Sequence, residues 1–153
     1  MAKLDLTAIP ERKGSSYPAP FAQNAANRIR KRLGDAGGLT QFGVNLLHLP
    51  PGAWSSQRHW HSAEDEFVYV ISGEVVLITD QGEEILGAGD CAAFPRNAPN
   101  GHHLVNRSGS KAVCLEIGTR VPDDFTVYSD IDMVFDPKVG AFTHRDGTPY
   151  PAK

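Results

Sequence analysis

The sequence is poor in the features that define several large classes of protein. Its 153 residues contain two cysteines, Cys91 and Cys114, which are too few for a disulfide framework and lack the spacing of a metal-thiolate site. Both are therefore expected to be buried free thiols. No apolar run approaches the length of a membrane span, and the first residues lack the apolar core of a signal peptide. We therefore expect a cytoplasmic protein without a membrane partner.

An excess of either charge is also missing. Lys and Arg total 15 and Asp and Glu total 18, so the formal net charge is -3. Because no basic run is interleaved with aromatic residues, nucleic acid is not an expected partner. The one basic cluster, at 28–32, is interpreted as the solvated face of a short helix at 21–33 that Gly34 would end. A clamp for an anionic substrate is the less favoured interpretation of the same cluster.

The chain contains many short apolar segments that are separated by glycine turns. Segments of this kind lie at 39–49, 67–71, 74–79, 83–86 and 111–119. They are typical of an all-β sandwich or small barrel, and the length of the chain suits a single domain. We therefore predict an N-terminal arm with one short helix at 1–38, a barrel at 39–119 and a C-terminal extension at 120–153.

The stretch from Gly52 to Gly73 contains three candidate metal ligands. His59 and His61 are two residues apart, so on a strand both side chains would project from one face, roughly 6–7 Å apart. Glu66 lies five residues beyond His61, an odd step that would place it on the opposite face of an unbroken strand. A bend at 62–65 is therefore predicted, because it would return Glu66 to the face of the histidines.

A second stretch, from Gly89 to Asn106, contains the adjacent pair His102 and His103. The two stretches resemble the two conserved motifs of the cupin superfamily, the first with His-x-His, Glu and Gly, the second with Gly, Pro, His and Asn. This resemblance implies a double-stranded β-helix, or jelly-roll barrel, and a fourth metal ligand from the second motif. Since His102 shares a strand face with Leu104 and Asn106, as the corresponding family residues do, His102 is the predicted ligand and His103 the alternative.

The predicted ligands are His59, His61, Glu66 and His102. Three imidazoles and one carboxylate, without a thiolate, suit Fe, Mn, Zn, Ni or Cu better than Ca or Mg. We therefore predict one divalent metal ion from the first group, with open positions for water or substrate. The alternative is a barrel that keeps these residues but holds no metal in the cell.

Alternation along the strand after Glu66 predicts two faces with different roles. The predicted pocket lining consists of Val68, Val70, Leu104 and Asn106. Phe67, Tyr69 and Ile71 would then point away from the barrel interior. Large apolar side chains in such a row seldom stay exposed to water, so a terminal arm or a second subunit should cover them. We expect a homodimer.

The tail beyond Tyr128 resembles a branch of small bacterial cupins that are provisionally labelled sugar-phosphate isomerases. The resemblance implies a metal ion that polarises a substrate carbonyl while a side-chain base moves a proton. Glu64 is the candidate base because Glu66 would be a ligand, and the other catalytic residues are unknown. Arg96 and Arg120 are the candidate phosphate partners. The alternatives are a metal-dependent dioxygenase or lyase acting on a chelating organic substrate, and a non-catalytic cupin that binds a small ligand.

Overall fold

Antiparallel strands make up almost all regular structure in the computed structural model, which describes residues 3–151. Within that range the elements are β1 (Arg12–Lys13), β2 (Ile29–Arg32), α1 (Leu33–Ala36), β3 (Phe42–Leu49), β4 (His59–His61), β5 (Glu66–Ser72), β6 (Glu74–Thr79), β7 (Gly82–Gly87), β8 (Cys91–Phe94), β9 (His103–Val105), β10 (Ala112–Thr119), β11 (Thr126–Tyr128), β12 (Val134–Asp136) and β13 (Ala141–Thr143). The longer strands are rich in the β-branched and aromatic residues that pack well on a pleated surface. The predicted all-β fold is confirmed.

The strands of the described residues form three sheets. Their orders are β1-β2-β3-β10-β5-β8, β13-β12-β11-β4 and β7-β6-β9. Two isolated bridges add to this pairing, since Trp54 pairs with Val105 of β9 and His59 of β4 pairs with His102. The second bridge brings the two sequence motifs together, because His59 belongs to the first motif and His102 to the second.

The main hydrophobic core lies between the inward faces of the six-stranded and three-stranded sheets. Its buried residues are Leu47, Leu49, Ala53, Val68, Val70, Val75, Leu77, Leu86, Leu104, Ala112 and Cys114. Each buried leucine or valine stabilises the fold by about 1.5–3 kcal/mol through removal of its side chain from water. A second cluster, formed by Tyr17, Ala25, Tyr128 and Met133, packs the segment before the barrel against the segment after it.

The predicted alternation along β5 is present. Val68 and Val70 are buried, whereas Phe67, Tyr69 and Ile71 are 37%, 41% and 46% exposed. The register of the sheet continues the outward row, because Phe67 lies opposite Ile117 and Tyr69 lies opposite Leu115 on β10. The outward face of β5 is therefore part of a broader apolar surface.

The predicted helix at 21–33 is wrong. Residues 21–27 form turns, Ile29–Arg32 form β2, and only Leu33–Ala36 are helical. The sheet satisfies the backbone groups of this segment, since β2 pairs with β3 and Arg30 lies opposite Leu47. The basic residues of the segment therefore follow the two-residue period of a strand, and they do not form a solvated helix face.

The expectation of two buried thiols holds for one cysteine only. Cys114 is buried in the core, whereas Cys91 is exposed on β8, opposite Tyr69. In residues 3–151 we find no helix with both the length and the apolar character that crossing a bilayer requires. The division of the chain into arm, barrel and extension stays a prediction, although β1 and β2 extend the main sheet and β11–β13 pair with β4.

Candidate metal centre

The fold brings His59, His61, Glu66 and His102 to the wall of one cavity. His59 and His61 are the two ends of β4, where pairing with β11 fixes an extended backbone and so places both imidazoles on one face. Glu66 opens β5 directly after the bend at 62–65. His102 immediately precedes β9 and is held opposite His59 by two backbone hydrogen bonds.

The imidazole Nε2 atoms of the three histidines converge on a single carboxylate oxygen. Oε2 of Glu66 lies 2.9 Å from Nε2 of His102 and 3.4 Å from Nε2 of both His59 and His61. Ligand atoms of His59, His61 and Glu66 all lie within 4.8 Å of one another. These atoms could hold one metal ion with little movement of the side chains.

Neighbouring acceptors orient two of the three imidazoles. Nδ1 of His59 donates to the backbone carbonyl of Gln57 at 2.9 Å, and Nδ1 of His61 donates to Oδ2 of Asp124 at 2.6 Å. Each bond leaves Nε2 directed at the centre, which is the arrangement that metal-binding histidines normally show. The Gln57 and Asp124 contacts therefore fit a group of metal ligands.

Packing, rather than a hydrogen bond at Nδ1, positions the third imidazole. The ring of His102 stacks on Phe94 with 3.6 Å between ring centroids. Among residues 3–151 no partner bonds to the buried Nδ1 of His102. Rotation of the His102 ring away from Glu66 would break the stacking, so Phe94 holds Nε2 towards the centre.

Electrostatics keep the central carboxylate ionised. Burial acts to raise the pKa of Glu66, but hydrogen bonds with His102, His59 and His61 outweigh it and hold that pKa well below its ordinary value. Burial acts to lower the pKa of His61, but hydrogen bonds with Asp124 and Glu66 raise it to about 10. The ionised carboxylate suits a divalent cation, and a bound ion would displace the proton that His61 carries at neutral pH, because only a deprotonated imidazole nitrogen is a ligand.

His103, the alternative ligand, faces another partner. Its Nδ1 donates to the backbone carbonyl of Ser56 at 3.0 Å, and its ring packs edge-on against Trp54 with 4.6 Å between centroids. Burial lowers the pKa of His103. The structure thus places His102 beside the other three predicted ligands, and it anchors His103 to the backbone.

The cavity that contains these four residues has a volume of about 620 Å³. This lies in the range of sites that enclose small molecules. Val68 and Leu104 line it, as expected from strand alternation. Tyr17 and Tyr128 also line it, and burial raises the pKa of Tyr128 well above its ordinary value, so this phenol keeps its proton.

Two residues that were expected to line the pocket have other positions. Val70 lies in the main hydrophobic core with no exposed surface. Asn106 is also fully buried, and its Nδ2 donates to the backbone carbonyls of Leu49 and Ser110, each at 2.7 Å. Asn106 therefore joins three backbone segments, which is a structural role that strand alternation alone does not distinguish from pocket lining.

Glu64, the candidate base, lies at the wall of the cavity. Its Oε1 accepts a hydrogen bond from the backbone amide of Val121 at 2.7 Å, and burial raises its pKa. Of the two candidate phosphate partners, Arg120 lines the cavity and pairs with Asp35. Arg96 is exposed, and its backbone amide bonds to Asp65 outside the cavity lining.

Sequence reasoning ranked one feature of the site too low and missed another. Arg28, Arg30 and Arg32 line the cavity, in agreement with the less favoured interpretation of the basic cluster, and their two-residue spacing was an available strand signal. Asp124 carries no local signal, because it lies 63 residues from His61. It also accepts hydrogen bonds from the backbone amides of Ala63 and Glu64, at 2.7 and 3.2 Å.

Comparison with known proteins identifies the class to which this fold and site belong. Residues 45–118 match the Cupin domain family. A crystal structure from Silicibacter pomeroyi is 52% identical, with a TM-score of 0.92, over 99% of this chain and 98% of that one. That protein is described as a sugar phosphate isomerase from a cupin superfamily. The chain belongs to the cupin superfamily.

Two further solved structures are similar to the chain. A second structure, from Acidithiobacillus ferrooxidans and provisionally described as a sugar phosphate isomerase, is 31% identical over 84% of this chain and 83% of that one, with a TM-score of 0.74. A polyketide cyclase from Streptomyces resistomycificus is 22% identical over 78% of this chain and 79% of that one, with a TM-score of 0.61. This likeness shows the fold alone. No curated protein sequence matches the chain.

Proposed function

We propose that this cupin is a metal-dependent enzyme that isomerises a small sugar phosphate. The observation that carries the proposal is the convergence of three imidazole nitrogens and one ionised carboxylate within a cavity of about 620 Å³. The likeness to two proteins described, one of them provisionally, as sugar phosphate isomerases supports the choice of substrate class.

The proposed ligands of one divalent ion are His59, His61, Glu66 and His102. Their chemistry suits Fe, Mn, Zn, Ni or Cu. When bound, such an ion would polarise a substrate carbonyl and stabilise negative charge on its oxygen. His59 and His61 present Nε2 because Gln57 and Asp124 occupy Nδ1, while Phe94 supports the ring of His102.

Glu64 and Tyr128 are the proposed groups for proton movement. Burial raises the pKa of Glu64 towards the range in which a carboxylate can accept a proton and return it, while Val121 fixes one of its oxygens. Tyr128 keeps its proton, so it can donate a hydrogen bond to a substrate oxygen. Tyr69, the tyrosine on β5, is directed outward.

The first test is metal content. Untagged protein purified without added metal or chelator is expected to carry about one equivalent of metal, and His59→Ala is expected to lose it while staying folded. Elemental analysis with circular dichroism measures both. Wild-type metal content in the variant, or no metal in the wild type even after reconstitution, would remove the proposal.

The second test is turnover. Metal-loaded protein is incubated in deuterated water with aldose and ketose phosphates, and NMR follows isomerisation and exchange of the carbon-bound proton. Glu64→Gln is expected to lose on the order of 10²–10⁴-fold in rate, with the exposed Glu74→Gln as matched control. Oxygen consumption without isomerisation would assign the chemistry to the dioxygenase alternative.

We also infer that the outward face of β5 pairs two copies of the chain as a homodimer. Phe67, Tyr69 and Ile71 form an apolar row that Leu115 and Ile117 extend onto β10. Light scattering at micromolar concentration should give the mass of a dimer. Tyr69→Lys should give a monomer, and Val139→Lys, a change at an exposed valine in a turn outside β5 and β10, should not. A monomeric wild type would refute the inference.

A further inference from the structure

Three arginines that alternate along the chain line one wall of the cavity that contains the metal-ligand group. Arg30 and Arg32 belong to β2, and Arg28 directly precedes it. Two of the three have carboxylate partners. Glu116 accepts two hydrogen bonds from Arg30, both at 2.7 Å, and Asp35 lies 3.5 Å from Arg32.

Arg28 differs from the other two arginines in its surroundings. It is only 7% exposed, and its Nε donates to the carbonyl of Gly14 at 3.0 Å while Nη1 donates to the carbonyl of Ser55. Its guanidinium carbon lies 5.7 Å from the centre of the Tyr17 ring. In the part of the chain that the structure describes, Nη2 of Arg28 has no hydrogen-bond partner and no carboxylate forms an ion pair with this side chain.

This arrangement leaves a positive charge without a counterion in the cavity wall. Arg28 and Arg30 contribute two positive charges and Glu116 one negative charge, so the three side chains sum to one positive charge. Burial lowers the pKa of Arg28 to about 10, with the charge of Arg30 as a second cause, yet the group remains protonated at neutral pH. A buried cation is costly unless an anion compensates it, so an anionic ligand would stabilise this wall.

The arginine wall and the metal-ligand group are close along the backbone. The carbonyl of Ser55 accepts from Arg28 and, at 3.4 Å, from Nη2 of Arg30. The hydroxyl of the next residue, Ser56, lies 3.3 Å from Nδ1 of His59. Ser55 and Ser56 therefore connect the two groups, and both groups line the same cavity.

We propose that Arg28 and Arg30 form the subsite for the phosphate group of the substrate, whose carbonyl end lies at the metal-ligand group. The identity of this ligand rests on the proposed function. Among the described residues no hydrogen bond uses Nη2 of Arg28 or Nη1 of Arg30, so each guanidinium can offer one charge-assisted donor to a phosphate oxygen. The subsite lies on β2 and the residue before it, within the basic cluster for which an anion clamp was the less favoured interpretation, and it does not include Arg96 or Arg120.

The test is binding of inorganic phosphate, measured by calorimetry at constant ionic strength on chelator-treated protein. Arg28→Met is expected to weaken binding at least tenfold. Glu116→Gln is expected to strengthen it about tenfold, because it removes the negative charge that pairs with Arg30. A variant that merely disturbed the structure would not bind more tightly, so the direction of this change separates a binding role from a structural one.

The exterior of the protein offers a matched control for Glu116→Gln. Glu83 accepts two hydrogen bonds from Arg107, at 2.5 and 2.7 Å, with both side chains half exposed. Glu83→Gln therefore breaks an equivalent pair outside the cavity, and it is expected to leave phosphate affinity unchanged. Equal affinities of the Glu116→Gln and Glu83→Gln proteins would overturn the proposal, as would a wild type without saturable phosphate binding.

Two further binding measurements test where phosphate binds and whether the subsite prefers phosphate. His59→Ala is expected to bind phosphate as the wild type does, and loss of binding in that variant would place phosphate at the histidines and overturn the subsite. Acetate is expected to bind at least tenfold more weakly than phosphate, and equal binding would overturn the phosphate assignment. Neither measurement depends on turnover, so a failed isomerase assay leaves the subsite testable.

Discussion

Replacing Asp124 with asparagine should weaken metal binding through the tautomer of His61. Oδ1 of Asp124 accepts from the amides of Ala63 and Glu64, and an asparagine oxygen can keep both contacts. The asparagine NH₂ group would then face Nδ1 of His61, where the carboxylate oxygen now accepts at 2.6 Å. Because the NH₂ group is a donor, Nδ1 of His61 must then accept the hydrogen bond. In a neutral imidazole the proton then sits on Nε2, which is the proposed ligand atom.

The expected loss of metal affinity follows from the hydrogen bond between His61 and Asp124, whose direction the substitution reverses. Outer partners of metal-binding histidines typically contribute 10–100-fold to metal affinity, which corresponds to about 1.4–2.7 kcal/mol. Asp124 is buried and its bond to His61 is short, so the upper half of that range is expected. The fold should persist, because the variant keeps the two backbone contacts of the side chain.

A competition titration with a chromophoric chelator, using Zn²⁺ and Mn²⁺ in turn, measures the loss of affinity. Asp123→Asn is the matched control, since it removes the same charge from the neighbouring exposed side chain. Thermal unfolding of both variants checks that folding is equal. If Asp124→Asn binds metal within twofold of Asp123→Asn, the tautomer argument is refuted.

Asn106→Ala should lower the unfolding free energy by about 2–4 kcal/mol, because the backbone carbonyls of Leu49 and Ser110 lose the buried amide that donates to them. Metal content should not change, and chemical denaturation with elemental analysis tests both expectations. In the monomeric Tyr69→Lys protein, where the face that carries Cys91 is open, iodoacetamide should modify Cys91 but not Cys114 from about pH 8 to pH 10, because burial raises the pKa of the Cys114 thiol to about 12. Mass spectrometry that found Cys114 labelled under these conditions would contradict this. Gly73→Ala should destabilise the fold by about 3 kcal/mol, because a Cβ there would lie 2.8 Å from a backbone carbon of β10. Gly52→Ala should cost only about 1 kcal/mol, because Gly52 has a similar positive φ but open space around it. Equal losses of stability in thermal unfolding would contradict this.

Features that depend on short stretches of backbone were predictable from the sequence. The period of two along β5 separates Val68 from Phe67, and the same period places His59 and His61 on one face of β4. The bend at 62–65 followed from the odd spacing to Glu66. These relations involve neighbours within a few residues, where strand geometry leaves few alternatives.

Features that depend on distant parts of the chain were not predictable in the same way. Helix and strand are hard to separate in a short segment such as 29–32, and the choice was decided by β3, which supplies the hydrogen bonds. Alternation placed Asn106 on the correct side of the chain, but its burial depends on Leu49 and Ser110. Contacts of this kind exist only after the sheets have assembled.

The partnership between β4 and β11 has a consequence for the order of events during synthesis. All four proposed ligands lie before residue 103, whereas the strand that extends their backbone and the carboxylate that orients His61 lie at 124–128. A nascent chain that has exposed only the ligands still lacks the β11 partner of β4 and the carboxylate of Asp124. We therefore expect the ordered centre to form only after residues 124–128 have also left the ribosome. An unsuitable metal ion should then bind the incomplete chain more weakly than it would bind the finished protein.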